Sequence, residues 1–165
     1  MKIPKRLILA FLFFIGFQSL AQKQETLTYF KNDTLRLDLD LFLPETNSSS
    51  PKIPLVIFVH GGGFSGGTRE GGHAFCKFMA QNGYAAATIS YTLYMKNKKF
   101  SCDGVLPEKI KAFNFGVNDL WLSTLFFIEK ADSYHIDPAK IFIAGSSAGA
   151  ETILHAAFWN QNLMK

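Results

Sequence analysis

The chain has 165 residues, 48% apolar, 15% aromatic and 18% charged, which is material for one modest domain with a packed core and excludes a disordered tail. Thirteen glycines and six prolines without a period exclude collagen, and two cysteines exclude a disulfide-built scaffold or a four-cysteine zinc site. Of the formal charge of +4, Lys2, Lys5 and Arg6 supply three units; residues 22–165 hold 14 basic and 13 acidic side chains, a balance with no electrostatic footprint for nucleic acid.

Met1–Arg6 is short and basic, Leu7–Phe17 is almost purely apolar, and Ser19-Leu20-Ala21 puts small residues three before and one before a cleavage point. This is the plan of a secretory signal peptide over residues 1–21, with a mature chain from about Gln22. The apolar run falls short of the roughly 20 residues a spanning helix needs, so no membrane span is expected after its removal. An uncleaved anchor is the alternative. Export, to the outside or the periplasm, implies an oxidising compartment in which Cys76 and Cys102 either form a bridge or remain two separate buried thiols. Asn32-Asp33-Thr34 and Asn47-Ser48-Ser49 fit the glycosylation pattern.

Thr26–Phe30 favours a short strand, and Leu35–Leu43 alternates apolar and polar residues as a half-buried strand does, with a hairpin turn at Asn32-Asp33 before it. Pro44 and the polar stretch Glu45–Pro51 read as a loop. Ile53–Val59 is a continuous apolar run, expected of a strand covered on both faces. A helix is expected over residues 73–82, a second buried strand over Tyr84–Ser90, and an exposed loop over Lys96–Asp103. From Pro107 to about Ala131, Ile110, Phe113, Val117, Leu120, Trp121, Leu125 and Ile128 recur at helical spacing. Asp137-Pro138 marks a turn, Lys140–Ala144 a third buried strand, and Ala148 to Phe158 a last helix. Strands alternating with helices predict an α/β fold, a mostly parallel sheet with helices on both faces.

After the first buried strand comes His60-Gly61-Gly62-Gly63-Phe64-Ser65-Gly66-Gly67-Thr68. Gly61-x-Gly63-x-x-Gly66 fits a dinucleotide fingerprint, but the next strand ends Ile89-Ser90-Tyr91 without the acid that would hold a ribose. A phosphate-binding loop would need a lysine where Gly67 stands. The remaining readings are an ordinary loop and an oxyanion hole, in which glycine amides approach a substrate closely because no Cβ intrudes.

Gly145-Ser146-Ser147-Ala148-Gly149 is G-x-S-x-G between a predicted strand and a predicted helix, the context of a nucleophile elbow. Its middle position is Ser147, which makes Ser147 the candidate nucleophile. The helix starting at Ala148 aims free amides and a positive dipole end at the same spot, so the Ala148 N–H is a candidate oxyanion donor. Five residues of this kind also arise at any helix start rich in small residues; the specific signal is the pair of motifs.

With both motifs present, the chain resembles the α/β-hydrolases, specifically the carboxylesterase and hormone-sensitive-lipase-like group, from about Leu35 to Phe158. ISYTLY resembles that group's Tyr-Arg-Leu strand end, with Thr92 in place of the arginine, and Asn118-Asp119 and Ile136–Ile141 resemble the helix and turn before its nucleophile strand. The resemblance implies that Gly62, Gly63 and Ala148 supply the oxyanion donors and that His60 is structural. It implies a serine hydrolase that needs no metal or cofactor and acts on small esters or on acyl groups attached to polysaccharides.

The group's triad runs Ser, then Asp or Glu, then His. Glu151 and His155 follow Ser147 on the elbow helix itself, and His155 is eight residues along, about 12 Å at 1.5 Å per residue. His73 and His135 precede the nucleophile and read as core or surface histidines. The resemblance therefore implies an amino-terminal portion of a longer hydrolase, truncated after the elbow helix, with the triad acid and histidine beyond it. Such a portion is expected to show negligible esterase activity and, with one sheet edge uncovered, marginal stability. A non-catalytic binding protein on the same fold, and a peptidase or formamide-cleaving enzyme of the superfamily, are the alternatives.

Overall fold

Asn32 sets the first turn. Its side-chain oxygen accepts the Thr34 and Leu35 amides at 2.9 and 2.8 Å, an Asx turn that brings β1 (Lys23–Lys31) back antiparallel onto β2 (Arg36–Leu43). The computed structural model describes residues 23–45, 51–98 and 106–158, so residues 1–21 and Cys102 lie outside the described residues. β3 (Ile53–Val59), β4 (Ala85–Ile89) and β5 (Ile136–Gly145) complete a five-stranded sheet in the order β1-β2-β4-β3-β5. β4 and β5 flank β3 in parallel, whereas β1 with β2 and β2 with β4 are antiparallel. The sheet is thus mixed: its parallel half carries the two sequence motifs, and the amino-terminal hairpin supplies the antiparallel half.

The period-two pattern divides the sheet's side chains between two cores. Leu39, Leu41, Leu55, Ile57, Val59, Ala87 and Ile89 face α2 (Leu106–Glu129) and α3 (Ala148–Phe158), meeting Ala112, Leu120, Phe127 and Ala148. Phe42, Phe58 and Ala86 face α1 (His73–Gln81), meeting Cys76, Met79 and Ala80. Helices therefore cover both faces, as the alternation of strands and helices predicts. No helix among the described residues is long and apolar enough to cross a membrane.

β5 departs from expectation twice. It starts at Ile136, which pairs with Ile53 before a register shift, and regular pairing resumes at Leu55 with Ile141; the Asp137-Pro138 step lies inside the strand. Nor is it buried as the apolar run Lys140–Ala144 predicts: Phe142 is 54% and Ile143 37% exposed. The cause is position. Among the described residues β5 pairs with β3 alone, so its other edge is open. Beside that edge Trp121, Leu125 and Ile128 of α2, Ile143, and Ile153 and Ala156 of α3 line an apolar groove of about 370 Å³.

Candidate active site

Gly145 closes β5 and Ala148 opens α3, leaving Ser146 and Ser147 to make the turn. Ser147 has φ 51°, a left-handed conformation that costs a non-glycine residue roughly 1–3 kcal/mol and that leaves its side chain exposed here. The turn is locked from several sides: Ser146 N–H donates to Val59 O at 3.2 Å, Gly149 N–H to Ser146 O at 2.9 Å, and Glu151 N–H to Ser147 O at 3.0 Å. The flanking glycines are there for space. A Cβ on Gly149 would lie 2.1 Å from Val59 O, and one on Gly145 2.9 Å from the same atom. The elbow thus rests directly on the carboxyl end of β3.

The glycine loop leaves that same strand end. A Cβ on Gly61 would lie 3.1 Å from Ser147 Cβ and 3.0 Å from Ser146 O, so the start of the loop touches the serine. Gly62 then turns at φ 129° and Gly63 at φ 60°. A Cβ on Gly62 would fall 2.1 Å from Gly66 O, so no other residue fits there. The Gly62 carbonyl accepts the Ser65 amide, the Gly66 amide and the Ser65 hydroxyl at 3.1, 3.0 and 3.1 Å. This fixes the orientation of the peptide, while the Gly62 and Gly63 amides donate to no described residue. The Ala148 amide, first in α3, has no intrahelical acceptor.

Beneath the loop lies His60, 5% exposed. Its Nδ1 sits 2.7 Å from Gly61 O, and since a carbonyl only accepts, Nδ1 carries the proton. Burial lowers the pKa of His60 and keeps the ring neutral. The Tyr91 hydroxyl donates to His60 O at 3.0 Å, and its ring lies 4.5 Å from the imidazole, tilted by 33°. Burial pushes the Tyr91 phenol up to about 12, so it stays a donor. Phe64, fully buried at φ 57°, meets Tyr91 and Phe113 edge-on.

Among the described residues the Ser147 hydroxyl has no hydrogen-bond partner. His155 Nδ1 lies 3.0 Å from Glu151 O, its ring 4.3 Å from Phe113. His73 Nε2 sits 2.8 Å from Asp40 Oδ2, and His135 occupies a left-handed turn at φ 57° before β5. Cys76 is free and buried, and desolvation pushes its thiol up to about 12. The sequence reading missed a buried ionic cluster beside α1. Asp40, 1% exposed, meets Arg69 Nε at 2.9 Å as well as His73, and accepts from the Thr26 hydroxyl at 2.7 Å. Burial alone would raise its pKa, but the bonds from Thr26, His73 and Arg69 outweigh it and hold the carboxyl below its ordinary value. In the alternating run LDLDLFL Asp40 looks like an outward residue, and nothing local announces the guanidinium that covers it.

The BD-FAE family model matches residues 39–164, most of the chain. Esterase-5B of Drosophila persimilis is 30% identical over 118 residues, covering 71% of this chain and 20% of that protein. Esterase B1 of Culex pipiens is 26% identical over 117 residues, 71% of this chain and 21% of that one. Among solved structures, Thermogutta terrifontis esterase 2 phosphoramylated by tabun superposes with a TM-score of 0.65 at 20% identity, covering 80% of this chain and 46% of that one, a likeness of fold. The chain thus spans about a fifth of these curated relatives and less than half of that structure. By the extent of the family match and the shared sheet, the chain belongs to the BD-FAE family of α/β-hydrolase-fold esterases.

Proposed function

We propose that this chain is the nucleophile-bearing part of an exported serine hydrolase acting on carboxylic esters. Ser147 Oγ attacks the ester carbonyl carbon, and the carbonyl π pair moves onto oxygen. The Gly62, Gly63 and Ala148 amides receive that oxyanion, a task for which fixed donors are each worth about 10²–10³ in rate. Collapse of the tetrahedral species expels the alcohol, and water then releases the acyl group from Ser147. The observation that supports the reading is the contact of Gly61 with Ser147, an exposed residue in a strained turn, with Gly62 and Gly63 following directly at positive φ.

The serine proton needs an acceptor, and no described histidine bonds Ser147. The base and its acid therefore come from outside the described residues, and without them serine is a weak nucleophile at neutral pH. The esterase relatives favour ester substrates, and the export-type leader suits small esters or acyl groups on polysaccharides outside the cell membrane. An alkyl fluorophosphonate tests the reading: labelling of the full-length protein that disappears in Ser147→Ala supports it. Absent labelling, with an intact fold and the triad residues present, would favour a binding protein on the same scaffold.

A further inference from the structure

The segment after β4, Tyr91–Met95, touches the glycine loop at two separated points. The Tyr91 hydroxyl donates to His60 O at 3.0 Å, immediately before the first glycine. The Met95 amide donates to Phe64 O at 2.8 Å, immediately after the last of the three. Gly61–Gly63 are thus bracketed by bonds from one short stretch of chain. That stretch is itself tied down. The Thr92 amide donates to Asp119 Oδ2 at 2.7 Å, and Asp119, on α2, is 2% exposed. The Tyr94 hydroxyl donates to Glu108 Oε2 at 3.0 Å near the start of α2, and the Tyr94 ring stacks on Phe115 at 5.0 Å. Tyr91 and Met95 are 3% and 2% exposed, so both bonds are shielded from competing water.

This arrangement addresses a weakness of any glycine-rich loop. Glycines leave the backbone many accessible conformations, and an oxyanion donor is useful only if it is aimed before charge appears. The internal bonds of the loop fix the Gly62 carbonyl, but not the position of the loop relative to Ser147. The two outside bonds fix that position. Tyr91 adds a second grip, since its ring packs against the His60 imidazole whose Nδ1–H holds Gly61 O.

We infer that Tyr91 is a positioning residue for the oxyanion loop, acting through His60, with Met95 and the Asp119-anchored segment as the other jaw of the same clamp. The inference rests on the reading of Gly62 and Gly63 as oxyanion donors, and its test separates the two. Tyr91→Phe deletes one buried hydroxyl and keeps the ring that packs on His60, so the fold is retained. At saturating fluorophosphonate, the rate of Ser147 labelling in full-length Tyr91→Phe falls about tenfold, while the half-saturating probe concentration is unchanged. Exchange of the Ser65, Gly66 and Met95 amides, which hold the loop, accelerates about tenfold, and exchange along β5 does not change. A fall in stability with unaltered exchange and labelling would overturn the inference and leave Tyr91 a mere core residue. Accelerated exchange in a protein whose wild type is not labelled would uphold the clamp and sink the proposed chemistry. Unaltered exchange of those amides in Tyr91→Phe, with a wild type that is labelled, would do the reverse.

Discussion

Gly149→Ala adds one methyl group where α3 presses on the end of β3. That methyl would lie 2.1 Å from Val59 O, 2.7 Å from Val59 C and 2.9 Å from His60 O. The first distance is about 1.3 Å shorter than the 3.4 Å at which ordinary van der Waals contact begins. All three obstacles are backbone, so no side-chain rotation relieves the overlap. Val59 O also accepts the Ser146 amide, so moving the helix away breaks the bond that locks the elbow. Overpacking costs about 1–3 kcal/mol where side chains can yield; here the upper end, about 3 kcal/mol, is expected. In a chain of this size that lowers the thermal midpoint by roughly 6–12 °C. Gly71→Ala is the control, because a Cβ there meets nothing within 4 Å. Calorimetry or urea unfolding reads both variants. A Gly149→Ala protein as stable as Gly71→Ala would refute the argument that the elbow glycines exist for space.

Ser146→Ala retains fluorophosphonate labelling at the wild-type level while Ser147→Ala loses it, measured by intact mass. Asp40→Ala leaves Arg69 and His73 facing a buried gap and destabilises by about 3 kcal/mol, read from the urea midpoint. The pH dependence of stability follows from the depressed folded pKa of Asp40. Its contribution is present above the ordinary aspartate range and is lost as pH falls through the lowered value, so Asp40→Asn flattens the acid limb of the stability profile. Cys76, buried with its thiol near 12, stays unreactive to iodoacetamide at pH 8 in the native protein and reacts on unfolding, as peptide mapping reports.

Local signals carried much of this fold. Ile53–Val59 and Ala148–Phe158 have the bounds their apolar run and periodicity predict, because each is set by neighbours within a few residues. The start of β5 was hidden by Asp137-Pro138, a strong turn signal that the strand absorbs as a register shift between Ile136 and Ile141. Its exposure was illegible for another reason: hydropathy records what a strand is suited to touch, whereas burial depends on what lies beside it. The site divides along the same line. Ser147 and the glycines are announced by close-range sterics, a strained turn and a loop without Cβ atoms. Tyr91, Met95 and Asp119 reach the loop across the sheet, through partners 27–31 residues away, and a backbone amide such as that of Met95 has no signature in sequence.

The placement of α2 and α3 on one face has a directional outcome. From β4 the chain travels over that face in α2, passes β3, and enters the sheet again as β5, on the far side from β2. Such parallel crossovers are right-handed in about 98% of cases. α3 departs from β5 over the same face as α2, with Phe142 and Ile143 exposed on β5. The direction of travel therefore reverses at β4: α1 crosses the opposite face to lay β4 between β2 and β3, and α2 carries the chain back past β3 to β5.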